Sequence, residues 1–266
     1  MKLYVKAISS YRSDREDIDV KKELKSRYKL DTRRQDAFIH LAVLGAQRLR
    51  ESAEIYENDE LFLTSGVGNI DVIARTNIAV VENHQFIKPF DFINMLGNTT
   101  SYYVATSLGV KGKNIFDISD NFTYFNTLVL IYASLKSSNN EAVCGAIDLV
   151  SEYDEVFRRV MGVAQDIAVV SSVNYQKLST KPEDAIAAVE FDTKSYTKEE
   201  IESLIAESGL KVYASMRCRD IDALQSKAFF ETDASGWINS MIRDKESALY
   251  VESYNEKYKL LQVSML

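Results

Sequence analysis

The stretch Asp117–Lys136, "DISDNFTYFNTLVLIYASLK", decides the fold. It reads as the end of a strand, a tight turn, and a helix from Thr123 to Lys136 that is apolar nearly all round. A helix without a polar face belongs between layers, not on a surface. The turn that feeds it, Asp120-Asn121-Phe122, sits where a buried helix presents free N–H groups and the positive end of its dipole. Such a place suits a nucleophile or an anion. No cysteine stands there, and no base can be named for the flanking Ser119 and Thr123.

Outward from this stretch, strands alternate with helices. Leu3–Ser9 reads as a first strand, followed by a charged excursion from Arg12 to Lys29. Arg33–Arg50 reads as a helix, with Phe38, Leu41, Ala42 and Leu44 at spacings of three and four. Leu61–Thr64 is a strand that enters a glycine turn, "SGVGN", and then a helix. "KPFDFINMLGNTTSYYVATSLGVKGK" reads as a loop entering a helix that Thr99, Thr100 or Ser101 caps and Gly109 ends. "EAVCGAIDLVS", "DIAVVSSVNYQ", "DAIAAVEFDT", "KVYASMR", "SALYVES" and "KYKLLQVSM" supply further strands. Thr197 followed by Glu200 is a capping box, and Gly209 closes that helix. The pattern predicts an α/β layered domain with a helix sandwiched between two sheets.

The bulk numbers narrow the function. A 266-residue chain with 46% apolar and 27% charged residues is an ordinary globular protein with a sizeable core. A net charge of −7 argues against nucleic acid as the main partner, because phosphate binding needs a positive stripe. No apolar run reaches the length of a membrane span and the first residues alternate like a strand, so a cytoplasmic location is expected. Cys144 and Cys218 read as buried thiols. His40 sits in a helix and His84 in a polar loop, and with only these two histidines the chain is poorly supplied for acid–base or metal chemistry. "SGVGN" is neither a dinucleotide fingerprint nor a P-loop, and Asp120 and Glu141 have no second carboxylate beside them, so no metal and no cofactor is expected. Phe90, Phe92, Tyr102, Tyr103, Phe116, Phe122, Tyr124 and Phe125 fall close together; they read either as core packing or as an apolar tunnel or obligate interface.

Taken together, the N-terminal half resembles the β-ketoacyl synthases of the thiolase fold. The resemblance rests on Pro89-Phe90, on Asn98 opening the next helix, on the Gly109 and Gly112 exit, on "LTSGVGN", on "RRQDAFIHLAVLGAQ" and on "VCGAIDLV". It covers residues 1–150 and thins after about residue 190. It implies a layered αβαβα fold in one domain, with an N-terminal half over 1–150 and a shortened C-terminal half over 151–266.

In active members of that family a cysteine tops the buried helix; here its position falls on Asn121 or, one residue later, Phe122. The two histidines of the active C-terminal half are absent, and Glu231–Ser235 stands where one of their turns would be. The chain thus resembles the chain length factors of type II polyketide systems, most of all the partner subunits of aryl polyene clusters. The resemblance implies no catalysis by the chain alone. It implies a heterodimer with a catalytic ketosynthase, and acyl carrier protein docking mainly on that partner, since a chain of net charge −7 offers an acidic carrier little. Val67 falls on the tunnel-gating position. Asp91, Phe92 and Ile93 fall on the loop that crosses to the partner, and Tyr102 and Tyr103 join them as tunnel or interface positions. The alternative is a self-standing acyl-thioester transferase or hydrolase that uses Cys144, Ser119 or Asp120.

Overall fold

The computed structural model describes residues 1–119, 121–150, 158, 163, 168–225, 228–229 and 232–266. Its strands are β1 (Lys2–Arg12), β2 (Glu60–Ser65), β3 (Asn114–Ile118), β4 (Ala142–Asp148), β5 (Ala168–Val169), β6 (Ser172–Ser179), β7 (Ala187–Phe191), β8 (Lys211–Ala214), β9 (Leu224–Gln225), β10 (Ala228–Phe229), β11 (Ala248–Tyr254) and β12 (Lys257–Met265). Its helices are α1 (Val20–Ser26), α2 (Ala37–Ser52), α3 (Ile70–Asn77), α4 (Pro89–Met95), α5 (Gly97–Leu108), α6 (Thr123–Leu135), α7 (Lys198–Ser208) and α8 (Asp233–Arg243), with a π-helical continuation of α3 over Ile78–Glu82.

Ten strands hydrogen-bond in the order β3-β2-β4-β6-β1-β7-β12-β11-β8-β9. That order is one five-strand unit repeated. In the first unit β2 runs parallel to β3 and β4, β4 is antiparallel to β6, and β6 to β1. In the second, β8 runs parallel to β9 and β11, β11 is antiparallel to β12, and β12 to β7. The units meet through their first strands, antiparallel, with Leu3 opposite Val189. By strand order the first unit closes at Ser179, so a division at residue 150 separates β6 from the sheet it completes.

The buried helices α6 and α8 occupy equivalent places in the two units and share one core. Phe125, Leu128 and Ile131 of α6 and Ile238 and Met241 of α8 pack with Phe62 and Cys144 of the first unit and Tyr250, Leu261 and Val263 of the second. On the outer face of the first unit lie α2 and α5, over Leu61, Leu63 and Val143. On the outer face of the second, Ile201 of α7 packs with Val212, Leu249 and Val251. Helix, sheet, helix, sheet, helix: this is the αβαβα layering that an all-round apolar α6 requires. Each fully buried leucine or isoleucine in that middle layer contributes roughly 1.5–3 kcal/mol.

Local chemistry sets the outer layers. In β1 Leu3 and Val5 face the middle layer and, after a register shift between Val5 and Ala7, Ala7 and Tyr11 face the outer layer, so both faces of the strand are covered. A Cβ at Gly45 would come within 2.6 Å of Val173, so glycine there lets α2 seat directly on β6. Thr197 and Glu200 form the expected capping box on α7, and Gly209 and Gly109 end their helices in the left-handed conformation.

Three expectations change. Residues 89–95 are a helix, not a loop, because Pro89 supplies a pre-set φ in its first turn and α4 needs no donor there. Helix α5 begins at Gly97, ahead of Thr99, Thr100 and Ser101, which are all buried inside it. The aromatic group divides: Phe122, Tyr124 and Phe125 join the buried middle layer, whereas Phe90, Phe92 and Tyr102 stand at the surface.

Candidate functional site

The N-termini of α6 and α8 open toward one region of the middle layer. At the head of α6, Phe122 holds φ 47° and ψ 33°, a left-handed conformation that costs a bulky residue. Strained turns of this kind, between a strand and a helix, are where nucleophiles are displayed. Here the displayed side chain is a phenyl ring, and it is 93% buried at a relative exposure of 7%. It meets Phe125 and Tyr254 edge-on, each at 6.4 Å, and the Lys259 ammonium stands 5.6 Å over it. The ring fills the head of α6 with apolar volume.

Asn121 does not cap α6. Its backbone carbonyl accepts from Ser119 Oγ at 2.9 Å and from Asn126 Nδ2 at 3.1 Å. Thr123 Oγ1 donates to the Ser119 carbonyl, and Asn126 N–H donates to Phe122 O at 2.9 Å. The turn is thus stitched from within. Asp120 lies outside the described residues.

One carboxyl group of the second unit, Glu252, meets this head, and a second, Asp233, lies near it. Glu252 lies on the inward face of β11, in step with Ala248 and Tyr250, and is only 5% exposed. Burial pushes its carboxyl up to about 7, against the pull of Arg217, the Phe122 backbone N–H and Lys259. Asp233, the first residue of α8, is equally enclosed; burial and the nearby Glu252 charge hold its carboxyl well above the ordinary range. Asp233 accepts from Trp237 Nε1 at 3.1 Å and from Tyr250 Oη at 3.5 Å. The preceding Thr232 donates its N–H to Asp148 Oδ2 of β4 at 3.0 Å, which ties the head of α8 to the first unit. Burial lowers the Lys259 ammonium from its usual value.

This set was missed in the sequence. The signal was there in "SALYVESY", where period two places Glu252 on the same face as Ala248, Tyr250 and Tyr254, a charge on an apolar face. Of the C-terminal segment Glu231–Ser235, Glu231 lies outside the described residues, and Thr232, Asp233 and Ser235 form the head of α8.

The remaining sequence candidates lie as follows. Val67, in the turn after β2, is half-buried and belongs with Ile70, Val169 and Met216 to one apolar cluster. Asp91 accepts a 2.8 Å ion pair from Arg75, and Phe92 and Ile93 beside it are 52% and 43% exposed. Tyr102 is exposed and meets the half-buried Tyr103 edge-on at 5.5 Å. His40 is buried, with Nε2 3.3 Å from the Thr32 carbonyl, and burial lowers its pKa. His84 is exposed at a left-handed turn. Cys144 is fully buried on β4 and its thiol is pushed up to about 12; that of Cys218 is pushed up to about 11. Neither thiol is placed to act as a nucleophile at neutral pH. Among the described residues no group of three or more histidine, cysteine or acidic side chains is arranged to hold a metal. No helix among them is long and apolar enough to cross a membrane.

A doubled five-strand unit with two buried helices in one shared core is the thiolase-like fold. No family model matches the sequence, and no curated protein matches it either. Solved structures do match in shape. A chain of the ishigamide ketosynthase/chain length factor superposes with a TM-score of 0.73 at 10% identity, over 100% of both chains. A chain of a ketosynthase in complex with its chain length factor from Xenorhabdus doucetiae gives 0.60 at 9% identity, over 98% of this chain and 99% of that one. A β-ketoacyl synthase from Burkholderia phymatum gives 0.65 at 8% identity, over 100% and 99%. At such identities the likeness is one of fold: the chain has the thiolase-like fold of ketosynthases and their chain length factors.

Proposed function

We propose that the chain is a non-catalytic, chain-length-factor-like subunit that completes a heterodimer with a catalytic ketosynthase. The observation that carries this reading is Phe122. A left-handed, strained turn at the head of the buried helix is retained at a conformational cost, yet its side chain is a ring packed against other rings and cannot act as a nucleophile. The geometry of the turn is useful without its chemistry if the chemistry belongs to another subunit.

The surface supports a partner. Between β2 and β3 the chain exposes a run of large apolar side chains, including Val81, Phe86, Phe90, Phe92 and Ile93, with Phe86 at 99%. Large apolar side chains left exposed close together in the chain favour an interaction site. The neighbouring β3 is an edge strand whose residues are all exposed or half-exposed, a backbone edge open to a further strand. An interface over this region would bury Asp91, Phe92, Ile93 and Tyr102. Val67 is assigned to the depth of the acyl tunnel, and the product class to aryl polyene-type chains, on the sequence resemblance.

Co-expression with a ketosynthase encoded beside it, followed by size exclusion, tests the pairing. Co-elution as a heterodimer is expected; a chain that is monodisperse alone and ignores the ketosynthase overturns the reading. With the pair in hand, Val67→Trp shortens the product while acylation of the partner is unchanged; unaltered product length removes Val67 from the tunnel. The reading of the chain as an independent acyl transferase has no supporting geometry at Cys144 or Ser119.

A further inference from the structure

Three arginines line one small concavity where the two units meet, in a chain whose net charge is −7. Arg12 ends β1, Arg15 follows it in the next turn, and Arg243 ends α8. The turn is pinned. Arg15 N–H and Glu16 N–H both donate to the Arg12 carbonyl at 3.1 Å, and Ser13 N–H donates to the Ser171 carbonyl at 2.9 Å. A cation at the last residue of α8 suits the negative end of the helix dipole. Arg15 has no such reason to stand there. Burial and the like charges of Arg12 and Arg243 lower its guanidinium from the usual value, against the pull of Asp14 and Asp244.

The nearest acids already have partners. Arg12 holds Asp14 at two points, 2.8 and 3.0 Å, and Glu16, which also lines the cavity, pairs with Arg48 at 2.9 Å. Among the described residues Arg15 and Arg243 form no ion pair; Arg243 Nη2 donates instead to Ser240 Oγ at 2.9 Å. Ser10 Oγ accepts from Asn239 Nδ2 at 2.9 Å, an orientation fixed because Asn239 Oδ1 accepts from Gln176 Nε2 at 2.7 Å. Both hydroxyl oxygens are thus in use as acceptors, while their protons have no acceptor among the described residues. Asn174, also in the lining, spends its Nδ2 on Ser172 Oγ at 2.9 Å. The cavity between these groups measures about 50 Å³, room for roughly four waters or one tetrahedral oxyanion.

We propose that this concavity binds a single phosphate-type oxyanion, inorganic phosphate or the phosphate end of a small monoester, between Arg15 and Arg243 with the Ser10 and Ser240 hydroxyls donating to it. Two guanidiniums and two hydroxyl protons are the donors that a dianion with several acceptor oxygens satisfies. A bound dianion also offsets the repulsion that Arg15 meets from Arg12 and Arg243. A nucleic-acid strand fits less well. The space takes one phosphate, and Asp14, Glu16 and Asp244 beside it disfavour the next. None of the lining residues belongs to the apolar run between β2 and β3 that a partner subunit would cover. The donors come from β1 and its turn in the first unit and from α8 in the second, so an occupied site ties the units together. The inference does not depend on the heterodimer reading.

The test titrates the full-length chain with inorganic phosphate by isothermal titration calorimetry, at constant ionic strength in a phosphate-free buffer, and repeats it with glycerol phosphate and with acetate. One saturable phosphate site is expected, with acetate about tenfold weaker or more. Glycerol phosphate binding as tightly assigns the site to monoesters as well; binding of inorganic phosphate alone assigns it to the free ion. Arg15→Gln/Arg243→Gln weakens phosphate binding by about tenfold or more, and Ser240→Ala weakens it several-fold, whereas Lys211→Gln leaves it unchanged. Saturating phosphate raises the melting temperature of the parent and leaves that of the double variant where it was. Circular dichroism that matches the parent shows the double variant to be folded. Absence of both saturable binding and a thermal shift with either phosphate compound overturns the proposal. So does undiminished binding by the double variant, or acetate binding as tightly as phosphate. Ketosynthase pairing is read separately, by size exclusion, so its failure leaves this site standing and the converse holds too.

Discussion

The two five-strand units share strand order and strand directions, yet they are used differently. In the first, the crossover from β2 to β3 runs through residues 66–113 and builds α3, α4 and α5; in the second, the equivalent crossover from β8 to β9 is residues 215–223 and contains no helix. The first unit consequently carries most of the exposed apolar surface, and the second is pared to what covers its sheet. The second unit is the shorter of the two in this one connection. The strand framework tolerates it because the parallel β8–β9 pair is two residues long and α7 with the 215–223 loop still buries Val212, Leu249 and Cys218. A repeated framework fixes where strands lie; what joins them is free to become an interface in one copy and a short link in the other.

If the units form one cooperative body, damage to the shared middle layer unfolds both. Phe125→Ala removes a fully buried ring that stacks on Tyr250 across the units at 6.3 Å, and is expected to cost about 3–5 kcal/mol. Urea unfolding followed by tryptophan fluorescence, which reads Trp237 in the second unit, and by far-ultraviolet circular dichroism should give coincident midpoints. Separated transitions would show that the units fold independently.

An ion cluster distinguishes the first unit. Lys177 of β6 is 97% buried at the side chain and pairs with Asp59 at 3.1 Å and Glu141 at 2.9 Å, and Lys6 also pairs with Glu141. Lys177→Ala strands Asp59 and leaves Glu141 to Lys6 alone, and should cost about 3–5 kcal/mol, measured as a shift in the urea midpoint. A loss near zero would mean that water reaches the cluster.

The second unit carries the opposite arrangement, acids held close to protons. Glu252 titrates near 7 when folded and near 4 when unfolded. Between these values the folded chain binds more protons, so stability falls as pH rises and levels off above the folded value. From pH 5 to pH 8 Glu252 contributes a loss of about 3 kcal/mol. Glu252→Gln should flatten that part of the stability profile in chemical denaturation at each pH. An unchanged slope would assign it elsewhere, with Asp233 the next group to replace.

Smaller effects sharpen the same contrast. Thr197→Ala opens the capping box of α7, the main outer helix of the second unit, and should cost about 1 kcal/mol by thermal melt. At the seam itself Lys2 and Glu190 pair across β1 and β7 at 2.8 Å, but both are nearly half exposed. Lys2→Ala should therefore change stability by less than about 0.5 kcal/mol, since hydrogen bonds and packing, not this pair, join the units.

Much of the fold was legible in the sequence, because its signals are local. The all-round apolar Thr123 helix demanded two flanking sheets, Thr197 with Glu200 announced a helix start, and Gly109 and Gly209 announced ends. That no cysteine stands at the head of that helix was equally legible in the sequence. Which of Asn121 and Phe122 takes up the left-handed backbone there was not, since they differ by one place in the chain; the structure gives it to Phe122. Nor was the pairing of Glu252 and Asp233 with that turn legible. They arrive from a strand and a helix more than a hundred residues away, and their raised pKa values exist only because folding removes water from both at once. The doubled strand order, too, belongs to the tertiary structure, because a sequence states which segments are strands but not which strands become neighbours.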